Sequence, residues 1–278
     1  MTNLKGRVVA ISGGARGIGL ATTRKFVAAG AKVVVGDLDS AGAEQICAAQ
    51  PDSMMGLHLD VSSRASFEEF YDVAERSFGH VDVMVNNAGI MPSGPFLAEN
   101  EALTDKILAV NLRGVINGCR IAGQHMQPRG SGVIINVASL AGLFGAPGLA
   151  TYCASKFAVV GLTEALEHEF AVLGISVAAV LPAVVNTELS AGASYPRYMR
   201  PLIEVEADDV ATRIVKIASR GGSTATVPSV VGPLVKLSRV LARKPRHALE
   251  RVAGLDKAYT QADPALRAAY HNRVSGQH

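Results

Sequence analysis

Tyr152 and Lys156 stand four residues apart in the run Tyr152-Cys153-Ala154-Ser155-Lys156. On a helix that spacing puts both side chains on one face. A free phenol ionises near pH ~10, and a neighbouring ammonium favours the phenolate and lowers that value. Proton transfer near neutrality needs such tuning. Ser139 lies 13 residues before Tyr152, at the end of a Val/Ile-rich run, and adds a hydroxyl. Asn111 sits in a preceding helix-like stretch. A Tyr-x-x-x-Lys pair alone is equally well explained as two exposed helix neighbours. Ser139 at a strand end makes Tyr152 a candidate general acid/base.

A second cluster opens the chain. Ser12-Gly13-Gly14-Ala15-Arg16-Gly17-Ile18-Gly19 follows an apolar run and precedes a helical pattern. Glycines permit positive φ and let backbone N–H groups approach a pyrophosphate. The following helix adds its free N–H groups and the positive end of its dipole. Gly36-Asp37 follows 18 residues after Gly19. A carboxylate there can accept both hydroxyls of an adenosine ribose and repels a 2′-phosphate. Asp37 also fits an ordinary turn or helix-initiating Asp, but beside the glycine turn it points to dinucleotide binding.

These residues need strand ends and helices to hold them. Short apolar runs at residues 7–12, 32–36, 54–58, 82–85, 133–138, 175–181 and 224–227 alternate with helix-like stretches at 17–29, 41–49, 67–78, 103–126, 151–173 and 207–219. The apolar runs lack hydrophobic/polar alternation, which predicts a parallel sheet covered on both faces. In such a sheet ligands bind at the carboxyl ends of the strands, where Ser12, Asp37 and Ser139 fall. The expected fold class is α/β, with a doubly wound, mostly parallel, seven-stranded sheet over residues 1–228 and a helical extension over 229–278.

Composition excludes other classes. The chain has 278 residues, 49% hydrophobic and 18% charged, with net charge +3. Disordered chains are apolar-poor and charge-rich, and this balance gives no footprint for nucleic acid. Residues 230–278 carry 9 Lys/Arg against 3 Asp/Glu, leaving 18 against 21 in the remainder, so the basic excess belongs to the tail. Cys47, Cys119 and Cys153 are sparse and form no CxxC pair, so no metal or redox site is expected and free thiols in a reducing cytoplasm fit best. The N-terminus has no apolar h-region. The uncharged run 131–155 is long enough to span a bilayer, but Asn136, Ser139, Pro147 and its glycines argue against a membrane helix.

The sequence resembles the short-chain dehydrogenase/reductase family over roughly residues 5–228. Ser12 to Gly19 resembles that family's TGxxxGxG turn, with Ser12 in place of Thr. Asn86-Asn87-Ala88-Gly89 resembles its NNAG element, and Asp60-Val61 the Asp that meets the adenine. Asn111, Ser139, Tyr152 and Lys156 match its catalytic tetrad in order and spacing. The resemblance implies a Rossmann-type fold and hydride transfer between a nicotinamide and an alcohol/ketone pair. Tyr152 would exchange the proton, Ser139 would bind the substrate oxygen, Lys156 would lower the Tyr pKa and hold the nicotinamide ribose, and Asn111 would position a relay water. Ser12, Gly13, Arg16, Gly17, Ile18, Gly19, Asp37, Asp60, Val61, Asn87, Ala88, Gly89, Tyr152, Lys156, Pro182 and Thr187 are the expected cofactor contacts. Asp37 favours NAD over NADP, although Arg16 could meet a 2′-phosphate. The family usually has Pro-Gly after the sixth strand; here Pro182-Ala183 stands, which bears on the path of the loop to Thr187. A homodimer or homotetramer through 103–126 and 151–173 is also implied. The contrasting reading is a non-catalytic dinucleotide-binding redox sensor or scaffold, for which the intact tetrad would have no use.

Met91, Pro92, Phe96, Leu140, Phe144 and Pro147, with Leu189, Tyr195, Tyr198 and Met199 from the loop after strand six, are expected on the substrate side and suggest a hydrophobic alcohol or ketone. Arg197 and Arg200 in that loop read as solvent-exposed. In the tail, apolar residues at 231–241 interleave with Lys236, Arg239, Arg243 and Lys244, which predicts a basic amphipathic helix ending near Pro245. Asp263-Pro264 predicts the start of a last helix over 265–274. Three roles compete for this tail: packing over the substrate pocket or a neighbouring subunit, peripheral contact with an anionic membrane, or a disordered, purely solvated end.

Overall fold

The computed structural model describes residues 4–190 and 196–240, with the single positions Lys244, Gly254, Tyr259, Thr260 and Tyr270 beyond them. Strands β1 (Val8–Ser12), β2 (Lys32–Asp37), β3 (Met54–His58), β4 (Val81–Asn86), β5 (Gly132–Val137), β6 (Ile175–Pro182) and β9 (Ala225–Val227) form one sheet in the order β3-β2-β1-β4-β5-β6-β9. All its pairings are parallel. A two-stranded sheet, β7 (Val184–Val185) with β8 (Glu204–Val205), pairs the ends of the segment after β6. Two residues a strand is too short for a periodicity signal, and the sequence did not show it.

The helices are α1 (Gly17–Ala28), α2 (Ser40–Cys47), α3 (Arg64–Phe78), α4 (Glu101–Leu108), α5 (Gly114–Met126), α6 (Ala150–Ala171), α7 (Arg200–Ile203), α8 (Ala207–Arg220) and α9 (Val231–Val240). Successive strand side chains point to opposite faces, and both faces are apolar. Val9, Ile11, Val33 and Val35 pack with Phe26, Val210 and Ile214 on one side. Val8, Ala10, Val34 and Met84 pack with Phe67, Phe70 and Val159 on the other. This double coverage is why the strands read as continuous apolar runs.

The chain winds outward in both directions from β1, which pairs with both β2 and β4. A crevice opens at such a switch point. Register carries polar residues to its floor: Ser12 lies opposite Gly36 and Asn86, and Asn86 opposite Asn136. The stretch predicted as one helix over 103–126 is α4 and α5 joined by a π-helical turn, Ala109–Arg113, centred on Asn111. Such turns inside helices mark sites where a side chain is re-aimed. Of the predicted tail, α9 is helical as expected; its continuation toward Pro245 and the helix over 265–274 lie outside the described residues, apart from Lys244 and Tyr270. Among the described residues no helix is long and apolar enough to cross a membrane.

Candidate active site

The glycine turn leaves β1 at Ser12. Its hydroxyl, 2% exposed, accepts the N–H groups of Asn87 and Ala88 at 3.1 and 3.3 Å. Asn87 returns the contact, donating its amide to the carbonyls of Ser12 and Gly13 at 3.1 and 2.7 Å. The two loops at the ends of β1 and β4 are thus one hydrogen-bonded unit. Gly13 has φ +65°, and a Cβ there would sit 2.8 Å from the Ala88 Cα. At Gly19 a Cβ would sit 2.0 Å from the Gly13 carbonyl oxygen, so the first turn of α1 lies directly against the loop. Arg16 occupies the N-cap of α1 with no side-chain cap bond, and no acidic residue stands in the first turn. That leaves backbone donors and a positive dipole end for an anion.

Asp37 ends β2 and accepts the N–H groups of Ala15 and Asp39 at 3.1 and 3.2 Å. Arg16 is engaged elsewhere, in an ion pair with Asp39. The Gly42 N–H and the Arg16 guanidinium hold the Asp39 carboxyl below its usual range. Asp60 accepts both the N–H and the hydroxyl of Ser62, at 2.9 and 2.7 Å.

A cavity of about 1500 Å³ runs from this region across the strand ends. Gly13, Arg16, Gly17, Ile18, Asp37, Asp60, Val61, Asn87, Ala88, Gly89, Pro182 and Thr187 all line it, as do Ser139, Tyr152 and Lys156. Ser12, Gly19 and Asn111 are not on its walls; each supports them from behind. Ala183, where the family has Gly, fits without a positive φ, and its N–H bonds the Val227 carbonyl at 2.8 Å. The loop beyond it still brings the Thr187 side chain to within 3.4 Å of where a Gly17 Cβ would sit.

At the far end Tyr152 and Lys156 lie one turn apart on α6, with the Lys156 Nζ 5.8 Å from the centre of the Tyr152 ring. Lys156 is 4% exposed, and its ammonium donates to the Val137 carbonyl at 2.9 Å. Burial pulls its pKa down to about 8. Burial also pushes the Tyr152 phenol above its usual value, opposed by a hydrogen bond from Ser139. Desolvation, which disfavours the charged form of either group, dominates at both, and the lowering of the phenol comes from Ser139 rather than from the expected Lys156. Ser139, the last residue before a short 3₁₀ turn, also accepts the Ala141 N–H at 3.1 Å.

Asn111 is fully buried. Its Oδ1 accepts the Ile90 N–H, and its amide donates to the Ile90 carbonyl, both at 2.8 Å, and to the Ser155 hydroxyl at 3.2 Å. A Cβ on Gly89 would lie 3.3 Å from the Asn111 Oδ1 and 3.5 Å from the Lys156 Nζ. The bare glycine leaves space between those two groups.

Of the predicted substrate-side residues, Met91, Leu140, Phe144, Leu189, Tyr198 and Met199 line the cavity. Pro92, Phe96 and Pro147 do not, and Phe96 is 63% exposed. They fall on loops whose direction sequence order alone does not give. Tyr195 lies outside the described residues. Sequence reading missed Ile203, Tyr259 and Tyr270, which also line the cavity together with Leu234 of the expected tail helix. Among the described residues no three His, Cys, Asp or Glu side chains gather as metal ligands.

Comparison with known proteins agrees with this geometry. A family model described as short chain dehydrogenase matches residues 7–196. The chain is 41% identical over 189 residues to a 3-alpha-(or 20-beta)-hydroxysteroid dehydrogenase of Mycobacterium tuberculosis, covering 67% of this chain and 72% of the relative. It is 39% identical over 198 residues to 3beta-hydroxysteroid dehydrogenase 2 of Eggerthella lenta, covering 69% and 76%. The crystal structure of a short chain dehydrogenase/reductase from Burkholderia phymatum in complex with NAD is similar at TM-score 0.77 and 26% identity, covering 86% of this chain and 95% of that one.

Proposed function

The chain belongs to the short-chain dehydrogenase/reductase family, and from that premise we propose that it interconverts a hydrophobic, steroid-sized secondary alcohol and its ketone with NAD. The observation that carries this reading is the buried Tyr152 phenol, facing an apolar cavity beside Ser139 and Lys156. The cavity exceeds the ~300–1,000 Å³ typical of one drug-sized ligand, which suits a dinucleotide plus a second molecule. The uncapped N-terminus of α1 and the Gly13 cradle fit a pyrophosphate, and Asp37 fits an unphosphorylated ribose. With Arg16 paired to Asp39, two carboxylates and, among the described residues that line the cavity, no unengaged guanidinium face that end, which supports NAD over NADP.

A nicotinamide dinucleotide held by the Gly13 turn, Asp37 and Thr187 would supply the hydride acceptor for the alcohol and the hydride donor for the ketone. The protein's share is placement and proton handling. In reduction, the neutral Tyr152 phenol gives its proton to the developing alkoxide. In oxidation, its charged form takes the hydroxyl proton, favoured by the Ser139 hydroxyl and the Lys156 ammonium. Ser139 holds the substrate oxygen beside the phenol. Lys156 also meets the ribose hydroxyls, and the space at Gly89 gives a relay water both Asn111 and Lys156 as partners. Leu140, Phe144, Leu149, Leu189, Met199 and Ile203 line the substrate side, which together with the steroid-acting relatives supports the substrate class. Tyr152→Phe is expected to keep NADH binding, read by nucleotide fluorescence, and to lower kcat at least ~100-fold. Turnover near the wild-type rate would overturn the role of Tyr152. Wild-type protein that binds NADH and oxidises no alcohol would instead favour the redox-sensor reading.

The protein is read as a cytoplasmic homodimer or homotetramer, in keeping with its three free cysteines. Val230, Leu234, Leu237 and Val240 on and beside α9 are 53–83% exposed, within a segment whose charge is strongly basic. They support a second role for residues 229–278, peripheral contact with an anionic membrane. Co-sedimentation with phosphatidylserine vesicles should fall for Leu237→Glu; equal sedimentation of variant and wild type would remove that role.

A further inference from the structure

We propose that Tyr259 and Tyr270, two residues of the C-terminal extension, set the size of the ketone or alcohol that the active site accepts; the inference deepens the dehydrogenase reading and rests on it. Both line the cavity that holds Ser139 and Tyr152, although they stand more than 100 residues beyond Tyr152 in the chain. Tyr270 is 5% exposed, and its hydroxyl accepts the buried Met91 N–H at 2.7 Å. Met91 packs in one apolar cluster with Ala141, Leu149, Tyr152 and Cys153. Tyr270 therefore fixes the backbone of a wall that also supports the reacting phenol.

Tyr259 joins two sides of the cavity. It packs against the Met91 cluster and also against a second cluster formed by Ile203, Met199, Ala183 and Val184. The backbone at Tyr259–Thr260 passes 3.3 Å from where a Cβ on Gly148 would stand, at φ +81°, so the extension lies against the loop that leads into α6. The family body supplies the nucleotide end and the reacting groups. The rings that close the space over Tyr152 come from outside it, and a bulky ring at a cavity wall sets the free volume beside it.

The test uses the full-length chain saturated with NAD, which has no hydride to give a ketone, and equilibrium dialysis of two ketones, cyclohexanone and a steroid ketone. Tyr259→Ala is expected to shift the ratio of their dissociation constants roughly tenfold toward the larger ketone, because the wall contact of the small one is lost and space opens for the large one. Tyr270→Phe keeps the ring but removes the hydroxyl that accepts the Met91 N–H, and is expected to weaken the steroid ketone roughly tenfold. The NAD dissociation constant should change less than about twofold in either variant, a split that general destabilisation would not produce. Tyr259→Leu replaces the alanine variant if that one does not fold. Unchanged ketone ratios, or equal losses for both ketones and NAD, would overturn the proposal while leaving the dehydrogenase reading intact. Shifted ratios in a wild-type background that transfers no hydride would uphold the proposal as a binding-site assignment and overturn the dehydrogenase reading.

Discussion

Lys156 offers a test of how the site trades stability for chemistry. Its ammonium is buried, with the Val137 carbonyl as its hydrogen-bond acceptor, and burial lowers its pKa from 10.5 to about 8. That difference corresponds to about 3 kcal/mol of folding free energy lost at pH 7, where the lysine must be charged in both folded and unfolded chains. Lys156→Met keeps the length of the side chain and removes the charge. It forfeits a bond from a charged donor to Val137, at about 1.5–3 kcal/mol, so a net stabilisation of up to about 1.5 kcal/mol is expected at pH 7. The pH dependence carries the sign. Between about 8 and 10.5 the unfolded lysine keeps a proton that the folded one has released, so wild-type stability rises with pH through that window. Below it this group contributes no slope. Urea unfolding of nucleotide-free wild type and Lys156→Met, at intervals from pH 7 to 10.5, gives the difference directly and cancels other titrating groups. The wild-type deficit should shrink as pH rises, while kcat of the variant is at least ~100-fold lower. A variant less stable than wild type at pH 7, or a difference flat with pH, would refute the idea that the ammonium is held at a cost.

Two further substitutions probe the nucleotide end and the support of the site. Asp37→Ala removes a carboxylate that would face a 2′-phosphate; a like-charge interaction of roughly 1–3 kcal/mol in a partly exposed crevice should raise the NADP/NAD ratio of kcat/KM about 10- to 100-fold, and an unchanged ratio would discard the Asp37 assignment. Asn111→Ala strands both the N–H and the carbonyl of Ile90; unsatisfied buried groups cost about 1–3 kcal/mol each, so the thermal midpoint should fall by at least about 4 °C together with kcat, whereas an unchanged midpoint would show that the π turn does not depend on that side chain.

The nucleotide half of the cavity was legible in the sequence because its parts are local. Ser12 to Gly19 is one strand-turn-helix unit, and the backbone conformations it needs are written into the residue types. Asp37 sits where any β2 of this length must end. The strands were legible because both faces are buried, so β1, β2, β4, β5 and β6 appear as mainly apolar runs without hydrophobic/polar alternation. What sequence pattern could not give was direction and depth. Asn111 reads as one more helical residue, yet the helix opens into a π turn there and the side chain spans to Ile90. The pair Tyr152 and Lys156 shows on paper as neighbours that stabilise a phenolate. Only their burial shows that both charged forms are disfavoured, so the ordering of the site depends on what else is brought to it.

The substrate half was poorly legible for a different physical reason. Its walls are non-local contacts, such as Tyr270 on Met91, 179 residues apart. No periodicity or motif encodes such a pair, since a tyrosine in a basic tail has the same local pattern whether it packs on a pocket or faces water. The contrast has a consequence for how this chain can change. The glycine turn tolerates little, because a Cβ at Gly13 or Gly19 meets backbone, and backbone cannot give way as a side-chain tip can. Among the described residues the tail meets the pocket through side chains of α9, the rings of Tyr259 and Tyr270 and the Tyr270 hydroxyl, where substitution alters volume without breaking the loops that hold Asp37 or Tyr152. Hydride chemistry and nucleotide choice are therefore fixed by tightly packed local structure, whereas selectivity for the second substrate rests on contacts that can vary independently of it.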